Sequence, residues 1–168
     1  ASGPTSGGSM DFKIGATKEG RITAVEGTVR LLAGAFPGAP VAPACMCAVA
    51  PYDIANVHIQ GFDVVVNRPK VAAYRAPGAP ISAFGAESIV DELAKELGMD
   101  PLKIRKLNAA KKGTKAAYGP TFRDIGYEET VDRAMDHDHY KAPLGPNQGR
   151  GVASGFWFNI GGESSATV

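Results

Sequence analysis

The chain has 168 residues, enough for one domain with a sizeable core, and its 44% hydrophobic and 21% charged residues are those of an ordinary globular protein rather than a disordered one. A formal net charge of +1 with no basic stripe argues against nucleic acid as a partner. No apolar run approaches the roughly 20 residues that a membrane span needs, and the start lacks the charged-then-apolar order of a signal peptide.

Residues 1–10 are rich in Gly and Ser and are expected to be flexible; residues 11–168 read as a single domain. Phe12, Ile14 and Ala16 alternate with polar neighbours, Lys18-Glu19-Gly20-Arg21 is turn-like, and residues 22–33 resume the alternation, which predicts a β-hairpin. Residues 36–51 are dense in Ala, Pro and Gly and predict a long loop with room for a short helix. Val and Ile then mark a strand over 57–67, in which Gly61 suggests a bulge. From Val71 the chain begins extended and ends in a tight loop of small residues. Pro80 opens a helix with Ile81, Phe84, Ile89, Leu93 and Leu97 as its apolar stripe and Gly98 as its C-terminal cap. Asp100-Pro101 supplies an N-cap and a first-position proline for a second helix to Leu107. A third helix is expected over 127–135 and a strand over 151–160. Phe156, Trp157 and Phe158 cannot all face one side of that strand, so at least one should be exposed or covered by self-association. The fold class is α+β: a hairpin and further strands in a mixed or antiparallel sheet, packed against two or three helices.

Several clusters invite a chemical reading. Asp136-His137-Asp138-His139 carries metal-ligand types, but four consecutive side chains cannot converge on one ion, and the stretch reads as a solvated helix end. His58 reads as a satisfied structural histidine. Cys45 and Cys47 are too close in sequence for a mutual disulfide and too few for a metal site, which points to reduced thiols and a cytoplasmic setting. The basic residues of 103–115 read as a solvated helical face. Ala73-Tyr74-Arg75-Ala76-Pro77-Gly78-Ala79-Pro80 is different. Small residues allow close backbone approach to a bound group, the adjoining helix offers unpaired N–H groups to an anion or oxo group, and Arg75 adds a charged donor. The residues alone therefore give an α+β domain with one candidate ligand loop.

The loop resembles the Ala-Tyr/Phe-Arg-x-x-Gly loop of the molybdenum hydroxylases, the family of xanthine dehydrogenase, aldehyde oxidase and carbon monoxide dehydrogenase large subunits. The segments downstream of the loop are similar as well: Ala83-Phe84, Ala86-Glu87-Ser88, Asp91-Glu92-Leu93-Ala94, Leu97-Gly98-Met99-Asp100-Pro101 and Arg105-Lys106-Leu107-Asn108. So are the opening Phe12-Lys13-Ile14-Gly15 with Gly20-Arg21-Ile22, and the closing Gly149-Arg150-Gly151-Val152-Ala153. The resemblance runs from Asp11 onward and implies an internal piece of the large subunit. It implies a molybdenum bound to a pyranopterin and hydroxylation of an aldehyde or N-heterocycle with water-derived oxygen. Electrons would leave through iron–sulfur clusters and FAD on partner parts, so the partners are the remainder of the subunit and those parts. Arg75 and Ala76 would contact the cofactor; Ala73 and Pro77 would line the substrate channel, with Glu163 and Ser164 near its opposite wall. No catalytic residue falls inside this piece.

The departures carry information. Pro77 stands where the xanthine and aldehyde enzymes place a ring-sandwiching aromatic, and Ala76 where carbon monoxide dehydrogenase has its copper-binding cysteine, which argues against copper-dependent CO oxidation. A substrate-orienting arginine of the xanthine enzymes would fall near Pro43, which argues against purine recognition. The family's Gly-rich and Gln-containing cofactor segments, its catalytic glutamate and its iron–sulfur cysteines lie outside these residues. The competing expectation is a structural subdomain or assembly module that binds no cofactor on its own.

Overall fold

The hairpin forms as the alternation predicts, in a computed structural model that describes residues 3–158 and 165–166. Its strands are β1 (Gly8–Ala16) and β2 (Ile22–Gly34), antiparallel, with Gly8 opposite Leu31 and Ile14 opposite Val25. Gly20 turns the chain with φ 89°, and its N–H donates to the Thr17 carbonyl at 3.0 Å. The strand starts before Asp11, and residues 4–7, read from composition as part of a flexible start, are bonded. Leu32 N–H donates to the Gly7 carbonyl, the Ser6 hydroxyl to the Leu32 carbonyl, and Ala72 N–H to the Pro4 carbonyl.

β3 (Asn56–Val65) lies parallel to β2 on its other side, giving a mixed three-stranded sheet in the order β1-β2-β3. A parallel pair needs a crossover, and the Pro- and Ala-rich stretch supplies it as α1 (Val41–Cys47). Gly61 is not a bulge: it pairs in register with Val29. A Cβ there would overlap Val41 Cγ1 and lie 2.7 Å from Cys45 Sγ, so the glycine lets α1 sit directly on the sheet.

The remaining helices are α2 (Ala79–Glu96), α3 (Pro101–Leu107), α4 (Tyr127–Asp136) and the short α5 (Asp138–Lys141). The fold is α+β, with more short helices than the two or three expected. Asp100 caps α3 as predicted, accepting from Leu102 and Lys103 N–H, both at 2.9 Å. The buried face of α2 differs from the predicted stripe. It consists of Ala79, Ser82, Ala86, Glu87, Val90 and Ala94, whereas Phe84 is 74% exposed. Close packing between sheet and helices selects small side chains, so the largest apolar residues sit at the margin. The strand expected over 151–160 forms no ladder within the described 151–158. Its alternation is real, since Val152, Ser154, Phe156 and Phe158 turn inward, but side chains rather than a neighbouring strand hold its backbone. Phe156 and Phe158 pack against Tyr118, and Trp157 stacks on Phe158 while remaining 40% exposed, as strand alternation requires of at least one of the three.

Those side chains belong to a buried polar network. The basic stretch 103–115 is not uniformly solvated: its lysines face water, but the Arg105 side chain is 0% exposed. Arg105 Nε donates to Glu87 Oε2 at 2.9 Å, and its Nη atoms donate to the Pro101 carbonyl at 2.8 Å and the Val152 carbonyl at 3.2 Å. Asp91 Oδ1 lies 2.8 Å from Nη1. Glu87, itself buried, also accepts from the Tyr52 hydroxyl at 2.5 Å and from Ser154 N–H at 2.6 Å. The Tyr127 hydroxyl bonds Ser154 Oγ, and the Tyr52 and Tyr127 rings meet edge to face. One turn along α3, Asn108 accepts from Ile22 N–H and donates to the Gly20 and Ile104 carbonyls, fastening the hairpin turn to the helix.

Removing one partner of such a pair strands the other charge. Arg105→Met is expected to lower unfolding free energy by about 3–5 kcal/mol, and Arg105→Met with Glu87→Leu to recover only part of it, because the Tyr52 hydroxyl and Ser154 N–H then lose their acceptor. Denaturant titration of the two variants checks this; a single variant as stable as the parent contradicts it. Burial, followed by the charge of Glu87, pushes the Tyr52 hydroxyl well above its ordinary range. An unfolded tyrosine ionises near ~10, so this contribution is complete below that pH and is lost as pH rises towards the folded value. Stability should therefore decline above about pH 10, and less steeply in Tyr52→Phe. Denaturant midpoints measured from pH 8 to 11 read the difference.

Candidate functional site

The candidate loop begins where Val71 N–H donates to the Ala33 carbonyl and Ala72 N–H to the Pro4 carbonyl, which bind the chain to the end of β2 and to the N-terminal segment. It then leaves the sheet and turns into α2 within residues 73–78, as the small-residue run predicts. The turn is braced from inside: Gly78 N–H donates to the Tyr74 hydroxyl at 3.2 Å, and Ala79 N–H to the Ala76 carbonyl at 3.1 Å. Ala76 adopts φ 54°, a left-handed conformation that costs a non-glycine residue on the order of 1 kcal/mol and persists only where the surroundings enforce it. Gly78, at φ 88°, lies so close to α1 that a Cβ would overlap the Pro40 carbonyl oxygen and come within 2.8 Å of Ala44 N.

This turn brings four of the predicted residues together. Ala73 and Arg75 are exposed, and Ala76 and Pro77 are half-buried beside them. Glu163 and Ser164 lie outside the described residues. Among the described residues Arg75 makes no hydrogen bond or ion pair, so its guanidinium is available to a ligand. No side chain of the first turn caps α2, but its leading donors are already used: Gly78 N–H goes to the Tyr74 hydroxyl, Ala79 N–H to the Ala76 carbonyl, and Pro80 has none, so the helix start adds mainly its partial positive charge. The turn thus offers one exposed arginine beside small side chains and the positive end of a helix dipole. This donor set fits one side of an anionic cofactor. It does not enclose one. Two open clefts lie elsewhere: about 400 Å³ beside α4, lined in part by Tyr127, Thr130, Ser154 and Phe156, and about 480 Å³ lined in part by Pro4, Gly7, Leu32, Val66 and Val71.

The other candidate clusters do not converge. Residues 136–139 are exposed, and no group of three or more His, Cys, Asp or Glu among the described residues could hold a metal. His58, read as a satisfied structural histidine, is exposed on β3 and its ring makes no hydrogen bond among the described residues. Cys45 and Cys47 are free thiols, and burial pushes both above the usual thiol range. The residues that composition does not reveal are Glu87 and Arg105. Glu87 shares a helical face with Val90 and Ala94, the one local sign that its carboxylate is buried.

Residues 1–109 match the model of the molybdopterin cofactor-binding domain. The chain belongs to this family. Over 131 residues it is 36% identical to the nicotinate dehydrogenase large molybdopterin subunit of Eubacterium barkeri, covering 76% of this chain and 31% of that one. It is 30% identical over 159 residues to the aldehyde oxidoreductase of Megalodesulfovibrio gigas, covering 86% of this chain and 16% of that one. The crystal structure of the aldehyde oxidoreductase from Desulfovibrio desulfuricans superposes with a TM-score of 0.75 at 30% identity, over 82% of this chain and 15% of that one. The chain thus spans less than a third of the length of these relatives. The matched residues of the molybdopterin-binding family contain the whole 73–78 turn and helices α2 and α3.

The seating of this molybdopterin-family turn on α1 is open to a direct test. Gly78→Ala introduces both a strained φ and a steric overlap, and is expected to destabilise the chain by about 2 kcal/mol or more. Thermal or denaturant unfolding of the variant measures it. A variant as stable as the parent would show that the turn can lift away from α1.

Proposed function

We propose that this chain forms one wall of the cofactor site in the catalytic subunit of a molybdenum-dependent hydroxylase that oxidises an aldehyde or an N-heterocycle. The observation that carries the reading is the turn at 73–78: Arg75, exposed and without a hydrogen bond or ion pair among the described residues, stands beside the left-handed Ala76 at the entry to α2 in a chain of the molybdopterin-binding family. The names of the relatives, a nicotinate dehydrogenase and two aldehyde oxidoreductases, support the substrate classes.

Arg75 and Ala76 would hold the cofactor, Arg75 through its charged N–H groups and Ala76 by bringing backbone close to it. When bound, the molybdenum–pyranopterin group supplies two-electron oxidation with oxygen taken from water. Ala73 and Pro77 would border the substrate channel, with Glu163 and Ser164 on the opposite side. Pro77 offers a rigid edge and no aromatic face, so a substrate ring is held there by shape rather than by stacking. Ala76 has no thiol with which to ligate copper. The remainder of the subunit would complete the site, and iron–sulfur and FAD parts would take the electrons. Among the described residues no helix is long and apolar enough to cross a membrane, and the two free thiols support a cytoplasmic setting.

The test is a preparation of the subunit encoded by this sequence together with its flanking coding sequence. Elemental analysis should find about one molybdenum per longer chain and far less in the 168 residues alone, because cofactor affinity needs converging segments. Oxidation of nicotinate and of aromatic aldehydes reads the activity. Arg75→Ala should weaken cofactor retention by about 10- to 100-fold, the worth of a hydrogen bond to a charged group, and lower molybdenum content and activity together. A longer chain that holds no molybdenum, or a 168-residue chain that holds a full equivalent, contradicts the reading.

A further inference from the structure

β1 is an edge strand, and it is unfinished in two separate ways. Its antiparallel register pairs Gly7 with Leu32 through a backbone hydrogen bond. Alternation then turns the N–H and C=O groups of Gly8, Met10, Phe12 and Ile14 away from β2, towards the open edge. An uncovered row of this kind is a template for another strand. Burial independently shows the same incompleteness. The inward residues of β2, including Val25, Val29 and Leu31, are fully buried, whereas Met10, Phe12 and Ile14 on the same face are only half-buried. Beside them runs a largely apolar groove of about 440 Å³ between β1 and α2, walled by Met10, Phe12, Ile81, Phe84 and Ile89 and also lined by Ser88 and Glu92. Phe84 projects into solvent on its rim, and a Cβ on Gly85 would press within 2.9 Å of the Phe12 ring, so the groove floor is kept low by a glycine. The opposite edge differs: Val57, His58 and Ile59 of β3 share a cleft with Ala117 and Tyr118, and Asp63 accepts from Gly38 and Ala39 N–H.

We infer that β1 is paired by a fourth strand from the part of the subunit outside these 168 residues, with a large apolar side chain of that strand seated in the groove beside Phe84. The inference rests on the reading that the chain is part of a longer molybdopterin subunit. The open backbone edge requires an extended occupant, and the groove requires that it alternate apolar residues towards α2 and polar ones towards the solvated face of Asp11 and Lys13. Relatives that this chain spans to only 31% and 16% of their length contain ample chain to supply it.

Hydrogen exchange read by mass spectrometry over residues 8–16 tests the pairing in the 168-residue chain and in the longer subunit. The β1 amides should exchange at least about 100-fold more slowly in the longer subunit. Phe84→Glu should leave the melting temperature of the 168-residue chain unchanged, because Phe84 is exposed there, and should weaken β1 protection in the longer subunit. Equal, fast exchange in both proteins overturns the inference. So does protection already present in the short chain and lost on dilution, which would put a second copy at the edge. Unchanged protection in Phe84→Glu overturns the seating in the groove. Molybdenum content of the same preparation separates the two claims: a molybdenum-loaded subunit with an unprotected β1 sinks only this inference, and a protected β1 in a subunit without molybdenum sinks only the functional reading.

Discussion

The buried contact between Arg105 and Glu87 is the constraint on which most of the remaining geometry depends. It joins α2 to α3 inside the core, and each partner uses its spare atoms to bind something else. Glu87 holds Tyr52 and the backbone of Ser154, and Arg105 holds the carbonyls of Pro101 and Val152. A pair removed from water gains little net stability, since desolvation cancels much of the attraction. What it supplies here is position. Among the described residues segment 152–154 has no neighbouring strand, and the two charged side chains take the place of a sheet ladder. Asn108 applies the same device to the hairpin turn at 20–22. The Arg-x-x-Asn spacing thus places two polar anchors about one helical turn apart, one gripping α2 and the 152–154 segment, the other gripping the sheet.

This rigid interior governs the candidate site through α2. Glu87 lies eight residues beyond Ala79, about two turns or roughly 12 Å along the helix. With that point fixed to α3, and with Ser82 and Ala86 packed beneath, the start of α2 has little freedom to shift. The turn at 73–78 is then trapped between two fixed ends: its upstream backbone is hydrogen-bonded to Ala33 and Pro4, and Gly78 rests against α1. An exposed loop built this way is ordered by its own contacts, the arrangement that lowers the ordering cost of any binding event.

Local signals in the sequence suffice wherever local forces decide. The hairpin, the start of α2 next to Pro80, the cap at Gly98 and the Asp100-Pro101 start of α3 all rest on turn and capping chemistry contained in a few adjacent residues. The sequence misleads where packing decides. Phe84 and Ile81 dominate any apolar count of α2, yet its buried face is made of Ala86, Val90 and Ala94, because proximity to the sheet matters more than side-chain size. Arg105 sits among lysines and is indistinguishable from them by composition; its burial depends on a carboxylate 18 residues away. Gly61 reads as a bulge because the approach of α1 to the sheet is a non-local event. The candidate turn is visible as a small-residue run, but its assignment to a cofactor rests on the family motif, since many strand–turn–helix joins share that composition.

Each residue of the turn answers a different physical demand. Tyr74 accepts at its hydroxyl oxygen from Gly78 N–H, so an aromatic side chain stabilises a turn that has little other side-chain bulk. Ala76 accepts a left-handed backbone, which a β-branched residue would resist strongly and a glycine would adopt without strain. Keeping alanine there restricts the alternatives open to the unfolded chain at a modest cost in the folded one. Pro77 fixes φ in the middle of the turn and lacks an N–H, so it adds no unpaired donor. Gly78 is required by both its positive φ and its contact with α1. These demands leave the exposed Ala73 and Arg75 as residues whose side chains are not needed to make the turn, and of the two only Arg75 carries charge. Arg75 is exposed on a turn that its neighbours specify, next to the positive end of α2.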